Sequence, residues 1–206
     1  MSGPSSLSGE SLSGESVSGE SVSGKSSPGG LNGGAAGPGQ GASAAASGAV
    51  VIRAADAETL AGPRVSIRLL ADSSTTGGAL STQRVTMAEG ADGAVPHTHK
   101  LSSELFYVLS GTVDLLTGDR VITGQEGDLV VVPPGLPHAF AASPGHPGEL
   151  LIVITPGVER FEYFRHLARI ATGQVTAESL LDVQDQYDTH FLVSPPWRAA
   201  RAKPTP

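Results

Sequence analysis

From residue 49 onward, apolar positions recur in short runs separated by Gly and Pro. A-V-V-I-R at 49–53 and V-S-I-R-L-L at 65–70 read as short strands. L-S-T-Q-R-V-T-M at 80–87 alternates with a period of two, the pattern of a half-buried strand. Residues 105–109 and 112–117 flank Ser110-Gly111, which predicts a hairpin turn. Further short strands are predicted at 121–123, 128–132, 138–142 and 150–155. Pro133, Pro134 and Pro137 cannot sit inside a central strand, so 133–137 is expected as a loop. Many short strands between Gly and Pro turns predict an all-β sandwich or barrel.

The period changes after Gly157. Phe161, Phe164, Leu167 and Ala168 fall at helical spacing, predicting a helix over 161–171 that Gly173 ends. Thr176 is placed to cap a second helix over 177–184, and the end from 195 to 206 is expected to fray. These helices are expected to cover an outer face of the barrel or to close one mouth. The first 48 residues are of another kind. S-L-S-G-E and its variants repeat in register from Ser6 to Lys25, and Gly, Ala, Ser and Pro then dominate. One small apolar residue in five buries too little surface to offset the ordering entropy, so a disordered tail is expected. The organisation read from the sequence is a tail over 1–48, a barrel over 49–157 and a C-terminal helical extension over 158–206.

The 206 residues include no cysteine, which excludes disulfides, thiolate metal sites and cysteine nucleophiles. The net charge of −7 comes without a large basic cluster, so nucleic acid is not an expected partner. The N-terminus shows neither a basic nor an apolar leader region, and no apolar run approaches membrane-spanning length. A soluble cytoplasmic protein with no membrane partner is the expectation.

The candidate chemistry is concentrated between Ala91 and Phe140. His97 and His99 lie two apart, so on a strand both imidazoles share one face, roughly 7 Å apart along the chain. Glu104 follows in E-L-F-Y-V-L and shares a strand face with Phe106 and Val108. A carboxylate on an apolar face is costly unless paired or bound to a metal. His138 stands just after a Pro-Gly-Leu-Pro turn, at the start of another strand. Three imidazoles and one carboxylate form a shell for one divalent first-row metal, with iron, manganese, nickel, cobalt, copper and zinc all suited. Phe106 and Phe140 share the inward face with Glu104 and His138, where core packing and substrate contact are both open roles. Lys100, Leu101, Ser102 and Ser103 form the loop between ligands. His146 reads as a loop residue, His166 as the partner of Glu162 one helical turn away, and His190 as a surface residue.

His97-Thr98-His99, four residues, Glu104, six residues, Gly111 resembles the first signature of the cupins. Gly127, five residues, Pro133-Pro134-Gly135-Leu136-Pro137-His138 resembles the second. Ala91 stands where the first signature has a glycine, and Ala142 where the second often has an asparagine. The resemblance implies a double-stranded β-helix, that is, a jelly-roll barrel, with His97, His99, Glu104 and His138 as metal ligands, and commonly a homodimer. The helical tail, with F-E-Y-F and D-Q-Y-D, is similar to that of small bacterial quercetinase-like cupins.

Such a metal could serve dioxygenase chemistry on a small hydroxylated aromatic or enol substrate, with Glu104 also taking a substrate proton. It could act as a Lewis acid for isomerisation or cyclisation. It could instead serve a small-molecule-binding module without turnover, since a fold and a metal do not establish a reaction. The oxygenase reading is the expectation.

Overall fold

The computed structural model describes residues 48–202, so the predicted tail lies outside the described residues except for Gly48. The strands in chain order are β1 (Thr59–Ala61), β2 (Val65–Ala71), β3 (Ser81–Met87), β4 (His97–Thr98) and β5 (Ser103–Thr117). They continue as β6 (Arg120–Gln125), β7 (Leu129–Val132), β8 (His138–Ala142), β9 (Gly148–Thr155) and β10 (His190–Phe191). Two helices follow the barrel strands, α1 (Phe161–Ala171) and α2 (Pro195–Arg201). No helix among the described residues is long and apolar enough to cross a membrane.

All pairings are antiparallel, and they form two sheets that share β5. One sheet runs β1, β2, β3, β9, the first half of β5, then β7. The other runs β10, β4, β8, the second half of β5, then β6. The inner faces meet in a core that includes Val85, Phe106, Val108, Val113, Leu115, Leu150 and Ile152. The alternation seen in the sequence is the cause. In β9, Leu150, Ile152 and Ile154 point inward and are buried while their neighbours are not.

Ser110-Gly111 is not a hairpin turn. The chain runs through it as one fifteen-residue strand. The pairing of β5 with β9 slips between Val108 and Ser110, and Gly111 takes a φ of 74°. That bulge and left-handed residue bend the strand from one sheet into the other. A Cβ at Gly111 would stand 2.1 Å from the Pro147 carbonyl oxygen, so only glycine fits the bend. A turn and a bend carry the same glycine signal, which is why the sequence pattern misleads here.

Three other expectations are corrected. Residues 49–53 form no strand, and Val50, Val51 and Ile52 are exposed, because no neighbouring strand completes their backbone hydrogen bonds. The second helix is a 3₁₀ segment, Ala177–Val183, and the Thr176 side chain makes no cap bond. The C-terminus does not fray through 195–201. Ser194 Oγ accepts the Trp197 N–H, two prolines open α2, and buried Trp197 packs on Leu116, Ala139 and Ala141. Arg201 then donates to the carbonyls of Gly90 and Ala142. Strand β10, unforeseen because it is two residues long, adds the extension to the edge of the second sheet beside β4.

Helix α1 keeps its predicted bounds. The Asp72 carboxylate, just past β2, accepts the backbone N–H groups of Arg160 and Phe161 at 2.7 and 3.0 Å. It thus satisfies donors that a helix start leaves unpaired, where a negative charge is also favoured. Tyr163 and Phe164 bury against Leu69 and Tyr187.

Candidate metal centre

The two sheets deliver the four predicted residues to one point. His97 in β4 lies directly opposite His138 in β8, a pairing that sets neighbouring side chains side by side. Glu104 projects inward from the first half of β5, opposite Val132 and Ile154. His99 follows β4 immediately. One ligand atom from each of the four lies within 4.8 Å of all the others, and all four residues are buried. Glu104 Oε2 stands 2.7 Å from His138 Nε2, 3.2 Å from His99 Nε2 and 4.0 Å from His97 Nε2.

Each imidazole is oriented by a main-chain carbonyl. His97 Nδ1 meets Val95 O at 2.8 Å, His138 Nδ1 meets Leu136 O at 2.9 Å, and His99 Nδ1 meets Asp188 O. A carbonyl oxygen can only accept, so in each neutral ring Nδ1 carries the hydrogen and Nε2 offers a lone pair. His138 Nε2 is close to Glu104 yet makes no directed hydrogen bond. Three nitrogen lone pairs and a carboxylate oxygen converging in a buried space repel one another unless a cation lies among them. The donor set fits a first-row divalent ion.

The electrostatics agree. Burial pushes the His97 imidazole well below its ordinary pKa, and the neighbouring His138 adds to this, so His97 stays neutral. Burial alone would raise Glu104, but hydrogen bonding and charge from His138 and His99, which in the metal-free cluster require a proton on Nε2, outweigh it and hold the carboxyl well below its ordinary range. Glu104 is therefore ionised at neutral pH. A neutral imidazole and an ionised carboxylate are the forms that bind a metal.

Asp188 supports the site and was not singled out from the sequence. It is buried in the extension just before β10, with a φ of 46°. Its carbonyl receives His99 Nδ1. Its carboxylate accepts the backbone N–H groups of Lys100, Leu101 and Ser102 at 2.7, 3.0 and 3.1 Å. The loop between the ligands is thus held from both ends of one residue. It closes the D-Q-Y-D run of the tail, but nothing in that run points to a partner 89 positions away.

A cavity of 560 Å³ opens on the His97 and Glu104 side of the cluster. Its walls are mostly apolar, from Val85, Ile152 and Phe140 of the barrel and Phe164, Leu167 and Leu180 of the extension. Helix α1 and the 3₁₀ segment therefore close one mouth, the second of the two placements expected for them. Burial raises the Tyr163 phenol, also in the wall, so it remains a donor.

A cupin domain model matches residues 83–154, a span that holds all four candidate ligands and the core strands from β3 to β9. The barrel is a cupin domain. Among solved structures, a cupin described as RmlC-like from Shewanella frigidimarina is similar at 20% identity, covering 54% of this chain and 92% of its own, with a TM-score of 0.45. The polyketide cyclase RemF from Streptomyces resistomycificus is similar at 21% identity, over 50% and 77%, with a TM-score of 0.43. Pac13, a nucleoside dehydratase, is similar at 15% identity, over 52% and 81%, also with a TM-score of 0.43. No curated protein matches the sequence.

Within the cupin barrel the remaining candidates separate. Phe140 lines the cavity, whereas Phe106 is fully buried beneath it, with ring centroids 5.6 Å from Phe140 and 6.0 Å from His138. Gly93 makes room for Phe140, since a Cβ there would lie 2.4 Å from the ring. His146 sits in the loop between β8 and β9 and accepts the Gly90 N–H through its carbonyl. His166 does not pair with Glu162. Its Nε2 meets Ser179 Oγ at 2.6 Å, and Glu162 pairs instead with Arg165 one turn on. His190 is half-buried in β10, 3.7 and 3.8 Å from Asp185 and Asp188.

Proposed function

We propose that this cupin is a metal-dependent oxygenase acting on a small hydroxylated aromatic or enol substrate. One observation carries the reading: the His97 and Glu104 side of the ligand cluster faces a cavity walled by aromatic and aliphatic side chains. A flat, mostly apolar substrate buries its ring there and presents its oxygen atoms to the cluster.

A divalent ion held by His97, His99, Glu104 and His138 would supply a Lewis acid and, if redox-active, a means of activating dioxygen. The chain's own residues do the rest. Phe140 and Phe164 enclose the substrate and exclude water. Glu104, ionised and lining the cavity, takes the proton of a substrate hydroxyl. The protein also pairs as a homodimer in this proposal. Tyr107, Leu129 and Val131, on adjacent strands β5 and β7, leave an apolar outer face exposed.

The test is an oxygen-electrode screen of flavonols, catechols and β-diketones with metal-loaded protein, wild type beside Glu104→Gln. The amide keeps the shape and one oxygen donor but takes no proton at neutral pH. Dioxygen uptake by the wild type, reduced ~10²–10⁴-fold in a Glu104→Gln protein that retains its metal, is expected. Product formed equally well without dioxygen would instead make the protein an isomerase or cyclase. Ligand binding without turnover in either atmosphere would make it a binding module.

A further inference from the structure

Arg160 is a buried cation whose side chain has no anionic partner among the described residues. It precedes α1, is 4% exposed and lines the same cavity as His97 and Glu104. Its Nη1 donates to Tyr187 O at 3.2 Å and to Thr189 Oγ1 at 3.0 Å, both neutral acceptors. Its Nε is buried and finds no acceptor among the described residues. The flat face rests on aromatic rings, with the guanidinium carbon 4.8 Å from the Tyr163 centroid and 5.4 Å from that of Phe164. The edge formed by Nε and Nη2 makes no hydrogen bond to the described residues. Arg84 uses that same edge on the surface, where Nε and Nη2 grip both oxygens of Glu149 at 2.7 and 2.6 Å.

Burying a guanidinium is costly unless an anion and hydrogen bonds compensate it. Structural need accounts for Nη1, which ties α1 to the segment entering β10. It does not account for the other edge. A planar fork with two parallel donors matches a carboxylate or a phosphate, and a mostly apolar cavity with no other Lys or Arg among its described lining residues favours the singly charged carboxylate.

We propose that Arg160 is a specificity-determining residue that receives a carboxylate of the substrate on its Nε–Nη2 edge. The substrate class becomes a hydroxylated aromatic or enolic carboxylic acid. Its ring lies along the apolar wall, its hydroxyl is directed to the metal cluster and its carboxylate to Arg160. The inference rests on the cavity being the substrate site, but not on the reaction being an oxygenation.

The probes are 2-hydroxybenzoate and its neutral amide, 2-hydroxybenzamide, titrated into metal-loaded protein by calorimetry under argon. Wild type is expected to bind the carboxylate about tenfold or more tightly than the amide. Arg160→Gln, shown to be folded and to hold its metal, is expected to bind both alike. Arg160→Lys keeps the charge without the fork and is expected to retain only part of the preference. If the glutamine variant does not fold, the lysine variant decides. Equal binding of the two probes by wild type, no binding of either, or a full preference surviving in a folded variant would overturn the proposal. None of these readouts depends on dioxygen uptake, so failure here and failure of the oxygenase reading are separate results.

Discussion

His99 and Asp188 are bound to each other through an imidazole nitrogen and a main-chain carbonyl, 89 residues apart in sequence. The barrel supplies the ligand and the extension fixes its tautomer. The extension is therefore part of the candidate metal centre. Replacing Asp188 with alanine leaves the carbonyl but removes the carboxylate that holds three backbone N–H groups of the ligand loop. Asp188→Ala is expected to cost about 1–3 kcal/mol of stability. It is also expected to weaken metal binding about 10–100-fold. Denaturant melts and competition with a chelator check both. Unchanged metal affinity would remove Asp188 from the centre.

Metal content is the most direct measurement. Purified protein is expected to carry close to one divalent ion per chain, and His99→Ala to lose most of it. Elemental analysis of a His97→Ala/His99→Ala variant decides the matter, since full occupancy there would place the ion elsewhere.

Acid should unfold the metal-free protein in a predictable direction. His97 is held below its ordinary value of about 6.5, so as the pH falls below that value the unfolded chain takes up a proton that the folded chain does not. The stability associated with neutral His97 is thus full above about pH 6.5 and is lost as the pH falls below it. Glu104 is also held low, so its contribution is present above about pH 4.3 and is lost on further acidification. Denaturant melts of chelator-treated protein between about pH 8 and about pH 3 should show a falling midpoint. A midpoint that rises on acidification would contradict both assignments.

Gly111→Ala tests the bend in β5. The new methyl group would meet the Pro147 carbonyl at 2.1 Å in a left-handed conformation. A loss of about 2–4 kcal/mol is expected. Because β5 carries Glu104 on one side of the bend and pairs with His138 on the other, metal affinity should fall as well. A thermal melt indistinguishable from wild type would show that the strand can switch sheets without glycine.

Light scattering at micromolar concentration is expected to give a dimer. Val131→Lys, on the exposed apolar face, should give a folded monomer, since Val131 contributes little to its own barrel. A wild-type monomer would leave that face without the partner proposed for it.

The fold and the convergence of the four candidate ligands were legible in the sequence for a common reason. The four ligands and the strands that carry them lie within one stretch, and period-two alternation fixes which side chains point inward. Glu104 could be placed beside Phe106 from their spacing alone. Arg160 and Asp188 could not, because their roles depend on where the chain returns after a helix and a 3₁₀ segment. The sequence pattern was also silent on pairing. Residues 49–53 have the composition of a strand but lack a neighbour, and His190-Phe191 finds one with only two residues.

The tautomer of every imidazole in the cluster is set by main-chain oxygen. No single side-chain replacement deletes such an acceptor. The wall facing the ligands, by contrast, is made of side chains on α1 and its neighbours. For a protein engineer the molecule therefore comes as two differently built components: a socket whose wiring is backbone, and a faceplate of exchangeable side chains. Grafting a different residue pattern onto Phe161–Ala171 would change which compounds enter while leaving the socket wired as before.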